Sequence, residues 1–258
     1  MQDRHKPMSL YRPCRQIADA ISREGIAVLR MDDQGTGCSG GNALENVTIQ
    51  ERADDSRAGV AYLKNRKEID GEWIALLGLS EGANIAPLIA ASDPSIRAVV
   101  MMAATATNGY KIIEYQQRRK IDERSDLSET EKEQEFAKSM RGLRRALARG
   151  EGGLWFRSFI EYMPLPTAEH VSCPALILHG DKDAQVPVDH ADLLAKTMRT
   201  SGNEDVTVVI FRNHNHLFLE DPNGNRSGYA KLLQHTNQLP EQVLSTIADW
   251  LGNHLLGD

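Results

Sequence analysis

A serine, two aspartates and two histidines of this sequence each follow an apolar segment, and together such side chains can activate the serine hydroxyl. Ser80 lies in the run G-L-S-E-G, directly after one such segment. The acid candidates after a later segment are Asp181 and Asp183, and the base candidates after the next one are His214 and His216. A serine hydroxyl is a poor nucleophile until a histidine takes its proton, and the histidine needs a carboxylate that orients it and stabilises its charged form. These residues, in the order Ser, Asp, His, therefore indicate acyl transfer through a serine nucleophile.

Ser80 also has the context of a sharp turn between a strand and a helix. The apolar run 73–79 precedes it, and a segment of helical character follows at once. Such a turn forces the serine into a strained backbone conformation that exposes its hydroxyl, and we expect Gly78 and Gly82 to keep Cβ atoms out of the crowded turn. The backbone N–H of Glu81 is then expected to point from the helix N-terminus toward the group that Ser80 attacks.

The same G-x-S-x-G pattern occurs a second time, around Ser39. This copy, residues 37–41, lies in a run of Gly, Ser, Thr and Asn with no helical segment behind it. A motif of this kind counts only in its expected structural context, so we interpret the second copy as a flexible loop after a strand. Context therefore favours Ser80 as the nucleophile.

Apolar patterning predicts strands that alternate with helices. The strands are expected at 26–31, 73–79, 96–102, 174–179 and 206–211. The helices are expected at 11–24, 48–64, 80–91 and 188–200, and from Pro240 onward. Strands and helices that alternate in this way make right-handed crossovers and a parallel sheet. The sequence therefore predicts an α/β fold, with a mainly parallel sheet and helices on both of its faces.

The alternation stops between residues 105 and 171, where the sequence is rich in Lys, Arg, Glu and Gln. Helices are expected at 110–121 and, behind a capping box at Ser128, up to residue 150. An insertion after the carboxyl end of a strand lies over the crevice where parallel sheets bind ligands. We therefore expect residues 1–104 and 172–258 to form the core and residues 105–171 to form a helical cap.

An apolar patch lies near the end of this cap. Its members are Trp155, Phe156, Phe159, Tyr162 and Met163. Packing inside the cap and the lining of an acyl pocket explain the patch equally well, because both need contiguous apolar side chains. Trp155 and Phe156 are kept as candidates for substrate binding.

Composition limits the partners and the compartment of the protein. The 258 residues carry a formal net charge of −6, which argues against nucleic acid as a partner. No apolar run is long enough to cross a bilayer, so no membrane partner is expected. The three cysteines are odd in number and lack the spacing of a metal site, so we expect reduced thiols in a cytoplasmic protein, with no metal and no cofactor.

Three segments together resemble the α/β-hydrolase superfamily. They are G-L-S-E-G at 78–82, G-D-K-D-A-Q-V-P at 180–187 and N-H-L-F at 215–218. Within the superfamily the chain is similar to the serine-aminopeptidase-like and dienelactone-hydrolase-like esterases, and the similarity extends from residue 11 to residue 251. The resemblance implies that Asp183 is the acid and that His216 is the base.

Asp181 and His214 stay as alternatives to these two residues. Without a catalytic role, Asp181 is expected to be a turn residue that bonds its own backbone, and His214 is expected to be an exposed loop residue. The plain explanation of Glu81 is a carboxylate that the helix dipole favours in the first turn.

One departure from the superfamily lies in the loop D-D-Q-G-T-G at 32–37. Gln34 stands there at the position of an arginine in the superfamily. The change removes the positive charge that the resemblance implies for a buried ion pair, and it leaves the triad untouched.

A second departure concerns an N-terminal strand. The superfamily has a strand before the first helix, between those expected at 26–31 and 73–79, and its loop supplies a second N–H to the oxyanion. We expect this strand to be missing, so that backbone groups of its neighbours are left unpaired. We expect a donor near Gln2 and Asp3 to contribute to the oxyanion site, since losing one such donor costs about 2.7–4 kcal/mol of transition-state stabilisation.

The resemblance therefore implies a serine hydrolase that cleaves a small carboxylic ester or thioester through an acyl-enzyme on Ser80. A serine peptidase of the same fold is an alternative, because these residues fix the acyl transfer and not the leaving group. A catalytically inactive scaffold that binds a ligand is a second alternative, motivated by the missing strand. The expected partner is a small-molecule acyl ester, and a homodimer is the assembly that the sequence leaves open.

Overall fold

Four parallel strands form one sheet in residues 11–256, the part of the chain that this computed structural model describes. They are β1 (Ile74–Leu79), β2 (Ile96–Met102), β3 (Ala175–Gly180) and β4 (Val206–Phe211), and they lie in the order β1-β2-β3-β4. Every pairing is parallel. Because parallel neighbours need a crossover connection, helices join each strand to the next.

Helices lie before, between and after these strands. The helices before β1 and between β1 and β2 are α1 (Pro13–Arg23), α2 (Ile49–Lys64) and α3 (Gly82–Ala90). Those between β2 and β3 are α4 (Gly109–Asp122), α5 (Glu129–Ala148), α6 (Gly153–Glu161) and α7 (Pro164–Ala168). Those after β3 are α8 (Asp189–Thr200), α9 (Tyr229–His235) and α10 (Glu241–Leu255). Short 3₁₀ turns lie at Leu44–Asn46 and Arg226–Gly228.

Two of the helices begin with a capping box. At α5, the Ser128 hydroxyl accepts the backbone N–H of Glu131, and a Glu131 carboxylate oxygen accepts the backbone N–H of Ser128 over 2.8 Å. Thr48 and Glu51 make the same exchange at α2. Because the first N–H groups of a helix have no partner inside it, these bonds fix where each helix begins. The capping box predicted at Ser128 is confirmed.

Each face of the sheet carries one apolar cluster. Alternate residues of a strand point to opposite faces, so β2 divides its side chains between the two clusters. Val100 and Met102 pack with α1 and α10, whereas Val99 and Met101 pack with α2, α3 and α8. All four side chains are completely buried, as in parallel sheets covered by helices on both sides. The predicted α/β architecture is confirmed.

Most predicted elements agree with the structure in their bounds. The strands predicted at 96–102 and 206–211 have the same ends, and those predicted at 73–79 and 174–179 differ by one residue. α6, α7 and α9 have no counterpart among the predicted helices. None of the helices in residues 11–256 combines the length and the apolar character needed to cross a bilayer.

The strand predicted at 26–31 is wrong. The segment has no regular secondary structure, and Val28, Leu29 and Met31 are 39%, 36% and 47% exposed. A strand needs a neighbour that takes its backbone hydrogen bonds, and no strand among residues 11–256 pairs with the outer edge of β1. The segment packs by its side chains instead: a Cβ at Gly59 of α2 would lie 2.7 Å from Met31 Cε.

Candidate active site

Ser80 lies at the turn between β1 and α3 in a backbone conformation that side chains rarely adopt. Its φ is +57°, in the left-handed region, which costs a residue other than glycine about 1–2 kcal/mol. Two backbone hydrogen bonds hold the turn, from Ser80 N–H to Met102 O over 2.8 Å and from Ala83 N–H to Ser80 O over 3.0 Å. This is the strained turn between strand and helix that the sequence predicts.

The glycines on either side of Ser80 have different roles. At Gly78 a Cβ would lie 2.0 Å from the carbonyl oxygen of Gly82, so no side chain fits there. At Gly82 a Cβ would meet nothing within 4 Å, because α3 begins there with this side open. The expectation that both glycines keep Cβ atoms out of the turn is therefore confirmed for Gly78 and wrong for Gly82.

His216 bridges Ser80 and Asp183. Its Nε2 lies 3.0 Å from Ser80 Oγ, and its Nδ1 lies 2.7 Å from Asp183 Oδ2. An ionised carboxylate only accepts hydrogen bonds, so Nδ1 carries the hydrogen and Nε2 has a lone pair that can accept the serine proton. The structure thus brings together three of the side chains that the sequence singles out, with the histidine in the tautomer that a general base needs.

The ends of the strands bring these residues to one edge of the sheet. β1 ends directly before Ser80, and Asp183 and His216 follow β3 and β4. In the β3–β4 pair Gly180 lies opposite Phe211, so the loops that carry the acid and the base start side by side. The carboxyl ends of parallel strands form such an edge whenever the strands run in one direction.

The two alternatives have other partners. Asp181 Oδ1 accepts the backbone N–H of Asn213 over 2.6 Å and so joins the loops after β3 and β4, instead of bonding its own backbone as expected. His214 contacts Arg212 O through Nδ1 at 2.7 Å and Gln242 of α10 through Nε2 at 3.1 Å. The expectation that His214 is an exposed loop residue is wrong, because packing against α10 buries it.

A buried asparagine orders the loop that carries His216. The Oδ1 of Asn215 accepts the backbone N–H groups of Leu217 and Leu219 over 2.9 Å and 3.4 Å, and its Nδ2 donates to Asp221 over 3.1 Å. Since buried polar groups are costly when they are left unpaired, these bonds favour one conformation of the loop. His216 is therefore held in place by its neighbours as well as by Asp183.

Asp183 is buried as an ionised carboxylate. Its Oδ1 accepts the backbone N–H groups of Gln185 and Val186 over 2.7 Å and 2.9 Å. Burial on its own raises the pKa of Asp183, but electrostatic attraction to His216 and hydrogen bonds from His179 and His216 outweigh burial and hold the pKa well below its usual value. The carboxylate therefore keeps its charge at neutral pH.

The backbone N–H of Glu81 is available to a substrate oxygen. It lies at the N-terminal end of α3, and no acceptor among residues 11–256 takes its hydrogen. A free N–H group at the positive end of a helix is suited to an oxyanion. The other donors predicted from the sequence, at Gln2 and Asp3, lie outside the described residues.

Ser39, in the second G-x-S-x-G copy, bonds within its own loop. Its Oγ donates to Asp32 O over 2.9 Å, and its backbone N–H donates to Thr36 O over 2.9 Å. No helix begins directly behind it among the described residues. The hydroxyl is therefore engaged in a turn, in agreement with the interpretation of this copy as a loop.

The side chain of Glu81 is bound from two directions. Arg52 of α2 donates to Glu81 Oε2 and, with its other amino group, to Asp33 Oδ2. Trp155 of α6 donates from Nε1 to Glu81 Oε1 over 2.6 Å. Arg52 is 8% exposed, and although burial acts to lower its pKa, the charges of Glu81 and Asp33 outweigh burial and raise it. Glu81, the residue after Ser80, therefore joins α2 to α6.

Sequence reasoning missed Arg52 and explained Glu81 by the helix dipole alone. A signal was present, since Arg52 shares the buried stripe of α2 with Ile49, Ala53 and Val60. A charged residue among apolar positions at helical spacing needs a buried partner of opposite charge. The identity of that partner was out of reach, because it lies 29 residues further along the chain.

α4 also contacts the site. The hydroxyl of Tyr115 donates to Asp183 O over 2.9 Å, and Gln116 Nε2 donates to Gln185 O over 3.0 Å. The loop that carries the acid is thus tied to α4, in the same way that the serine turn is tied to α6. Helices from the segment between β2 and β3 therefore contact both the serine turn and the loop that carries Asp183.

The apolar patch predicted near Trp155 has members in different surroundings. Trp155 and Phe159 stack with ring centroids 5.5 Å apart and nearly parallel planes. Phe156 packs against the start of α6, where a Cβ at Gly152 would lie 2.4 Å from its ring, and Met163 is exposed. Of the two candidates for substrate binding, Trp155 contacts the serine turn directly.

The sheet, the strained serine turn and the contacts of His216 are those of an α/β-hydrolase. The chain belongs to the prolyl oligopeptidase family, whose model matches residues 15–241.

Comparison with known proteins finds esterases. The chain is 26% identical to esterase EstD of Thermotoga maritima over 239 residues, which are 92% of this chain and 56% of EstD, so it spans little more than half of that relative. It is similar in structure to the esterase Pf2001 of Pyrococcus furiosus, with a TM-score of 0.61, 17% identity and coverage of 95% of this chain and 77% of that one. For the α/β hydrolase GrgF of a Penicillium species the TM-score is 0.63, the identity 19% and the coverage 97% and 87%. At these identities the structural likeness shows the fold.

The two glycines of the serine turn make a matched pair of variants. We expect Gly78→Ala to lower the free energy of unfolding by about 3 kcal/mol or more, because its Cβ collides with backbone that cannot move aside. Gly82→Ala should change it by about 1 kcal/mol or less, in the stabilising direction, because alanine favours the helix. Urea unfolding measures both, and equal losses in the two variants would contradict this account of the turn.

Arg52 offers a test of its two ion pairs. Arg52→Met removes the buried guanidinium that binds Glu81 and Asp33, and because these carboxylates are 24% and 36% exposed we expect the free energy of unfolding to fall by about 1.5–3 kcal/mol. Arg57→Met on the same helix is the control, because its side chain is more exposed and its bonds to Asp54, Leu88 O and Ser92 Oγ are together worth about 1 kcal/mol or less. Urea unfolding measures the stability of both variants. A loss of stability in Arg52→Met no larger than that in Arg57→Met would refute a structural role for the ion pairs of Arg52.

Proposed function

We propose that this protein is a serine hydrolase that cleaves a small carboxylic ester or thioester. Ser80 is the nucleophile, His216 the general base and Asp183 the acid that orients the base. The observation that carries the proposal is the pair of distances at His216, 3.0 Å to Ser80 Oγ and 2.7 Å to Asp183 Oδ2. The names of two similar proteins, the esterases EstD and Pf2001, support an ester as the substrate.

Acylation begins at the Ser80 hydroxyl. Its oxygen forms a bond to the acyl carbon while His216 Nε2 takes the proton. The carbonyl oxygen becomes an oxyanion, and the Glu81 N–H donates a hydrogen bond to it. His216 then gives the proton to the departing alcohol or thiol, and the acyl group stays on Ser80.

Deacylation uses the same groups with water in place of the serine hydroxyl. His216 takes a proton from water as the water oxygen attacks the acyl carbon. When the second tetrahedral intermediate collapses, the proton returns to Ser80 Oγ and the carboxylic acid leaves. Asp183 keeps its negative charge in both steps, and this charge stabilises the imidazolium form of His216.

Substrate specificity is assigned to the segment between β2 and β3. We propose residues 105–171 as a cap on a core of residues 1–104 and 172–258, with Trp155 and Phe156 lining the acyl pocket. The hydrogen bond from Trp155 to Glu81 supports this, because it holds one wall of the cap beside the nucleophile. The partner is then a small-molecule acyl ester that fits between the cap and the serine turn.

A serine peptidase is a second candidate, and the match to the prolyl oligopeptidase family favours it. The triad carries out acyl transfer on esters and amides alike, so the two candidates differ in the leaving group. The compartment that we propose is the cytoplasm, since the three cysteines are odd in number and lack the spacing of a metal site.

Labelling with a fluorophosphonate tests the nucleophile. We expect the wild-type protein to form one covalent adduct and Ser80→Ala to form none, because only a serine activated by a histidine reacts with this reagent. Ser39→Ala is the matched control, since it changes the other G-x-S-x-G copy and should label as the wild type does. Mass spectrometry of the labelled peptide reads out the site. No adduct on the wild type, or an undiminished adduct on Ser80→Ala, would overturn the proposal.

A panel of p-nitrophenyl esters of rising chain length tests activity and the acyl pocket together. His216→Ala should lower kcat by about 10⁴-fold or more, as loss of the base does in triad enzymes. Trp155→Phe should change the preference for chain length, because it removes the indole N–H that binds Glu81. Trp73→Phe, at an exposed ring stacked on Arg97, should leave the preference unchanged.

Two results of this panel would count against the proposal. Turnover that survives in His216→Ala would refute the triad, and no turnover by the wild type would favour an inactive scaffold. Matched p-nitroanilides complete the panel, and faster cleavage of anilides than of esters would favour the peptidase.

A further inference from the structure

A second histidine contacts the same oxygen of Asp183 that binds His216. The Nε2 of His179, in β3, lies 3.3 Å from Asp183 Oδ2 and 3.2 Å from the carbonyl oxygen of Val186. The imidazole is 0% exposed, and its Nδ1 has no partner among the described residues. The reaction described above makes no use of this residue.

The surroundings of His179 fix its tautomer. Both oxygens near Nε2 only accept hydrogen bonds, one as a carbonyl and the other as an ionised carboxylate, so Nε2 carries the hydrogen. A hydrogen on Nδ1 would have no acceptor, and an unpaired buried N–H is costly. His179 is therefore a neutral donor that binds Val186 O and has Asp183 Oδ2 3.3 Å from the same nitrogen.

We propose that His179 is a positioning residue of the triad, which holds Asp183 Oδ2 against His216 through its Nε2–H. The inference rests on the proposed function, since it concerns the same serine, histidine and aspartate. His179 touches no reacting atom, and it acts through Asp183 alone.

The neutral state of His179 matters for the base. Asp183 stabilises the imidazolium of His216 by its negative charge, and a second imidazolium on the same oxygen would cancel that charge. A neutral donor restrains the carboxylate and leaves its charge in place. It also competes mildly with His216 for Oδ2, so its removal should make protonated His216 easier to form.

Other titratable groups surround His179 and Asp183. They are His190 and Asp189 at the start of α8, Tyr115 on α4, Tyr229 on α9 and His216 itself. Burial lowers the pKa of His190, whose Nδ1 accepts the backbone N–H of Ala106 over 3.1 Å. His190 is therefore a second buried neutral histidine nearby, without a bond to an Asp183 oxygen, and it serves as a control.

The test compares two replacements of His179. The amide of His179→Gln can offer a hydrogen where Nε2 does, whereas His179→Phe keeps a buried ring and offers none. With a p-nitrophenyl ester we expect kcat of the Phe variant to fall about five- to tenfold with KM unchanged, the loss of about one hydrogen bond. The acid limb of its kcat/KM profile should move about half a pH unit to higher pH, because protonated His216 becomes easier to form. His179→Gln should keep most of the wild-type kcat and the wild-type acid limb.

Two kinetic results would overturn the proposal. One is a folded Phe variant with the wild-type kcat and acid limb, which would leave His179 as a packing residue bonded to Val186. The other is a shift of the acid limb in His190→Gln as large as that in His179→Phe. Such a result would mean that loss of any nearby buried histidine shifts the pH profile. Thermal unfolding of each variant separates these results from a loss of fold.

A measurement on the unmodified protein keeps the proposal testable if the Phe variant does not fold. Nitrogen-15 NMR of histidine-labelled wild-type protein should show His179 with hydrogen on Nε2 and none on Nδ1 throughout the pH range of activity. A hydrogen on Nδ1 in that range would refute the proposal. This measurement needs no substrate. If the protein had no esterase activity, the proposed function would be refuted, and the NMR result would still decide separately whether His179 donates from Nε2.

Discussion

The buried negative charge of Asp183 organises the carboxyl edge of the sheet. A carboxylate removed from water is strongly unfavourable unless donors replace its hydration. Here the donors come from three parts of the chain: the backbone at Gln185 and Val186, the end of β3 at His179, and the loop after β4 at His216. Satisfying the charge therefore brings β3, its loop and the His216 loop into one arrangement. The orientation of the histidine toward Ser80 follows from that arrangement.

A second set of charges lies beside Ser80. The buried guanidinium of Arg52 binds both Asp33 and Glu81, and Glu81 also receives the indole hydrogen of Trp155. Ser80 is thus followed in sequence by a side chain that two helices hold in place. Since the backbone N–H of Glu81 is the oxyanion donor in the proposed reaction, fixing its side chain also restrains that donor.

How much the sequence could predict differs between elements for physical reasons. The buried strands and the proximity of Ser80, Asp183 and His216 could be predicted, because a continuous apolar run such as 96–102 and the ends of parallel strands follow from short stretches of chain. The segment 26–31 has the same apolar character, but a strand forms only beside a neighbour, and that neighbour is a property of the whole sheet. Arg52 and His179 were missed for a related reason. The partner Glu81 lies 29 residues from Arg52, and the contact between His179 and Asp183 depends on the rotamer of a side chain. Local periodicity encodes neither of these.

The loop at 32–37 shows how a motif can change while the physical requirement behind it persists. The resemblance to the superfamily implies an arginine at the position of Gln34, whose amide here donates to Asp55 and accepts the backbone N–H of Asn42. The carboxylates of Asp33 and Glu81 bind a cation all the same, and α2 provides it through Arg52. A comparison by position alone would register only the absent arginine, because Arg52 lies outside the loop. A helix that lies against a loop can thus supply a positive charge that the loop itself lacks.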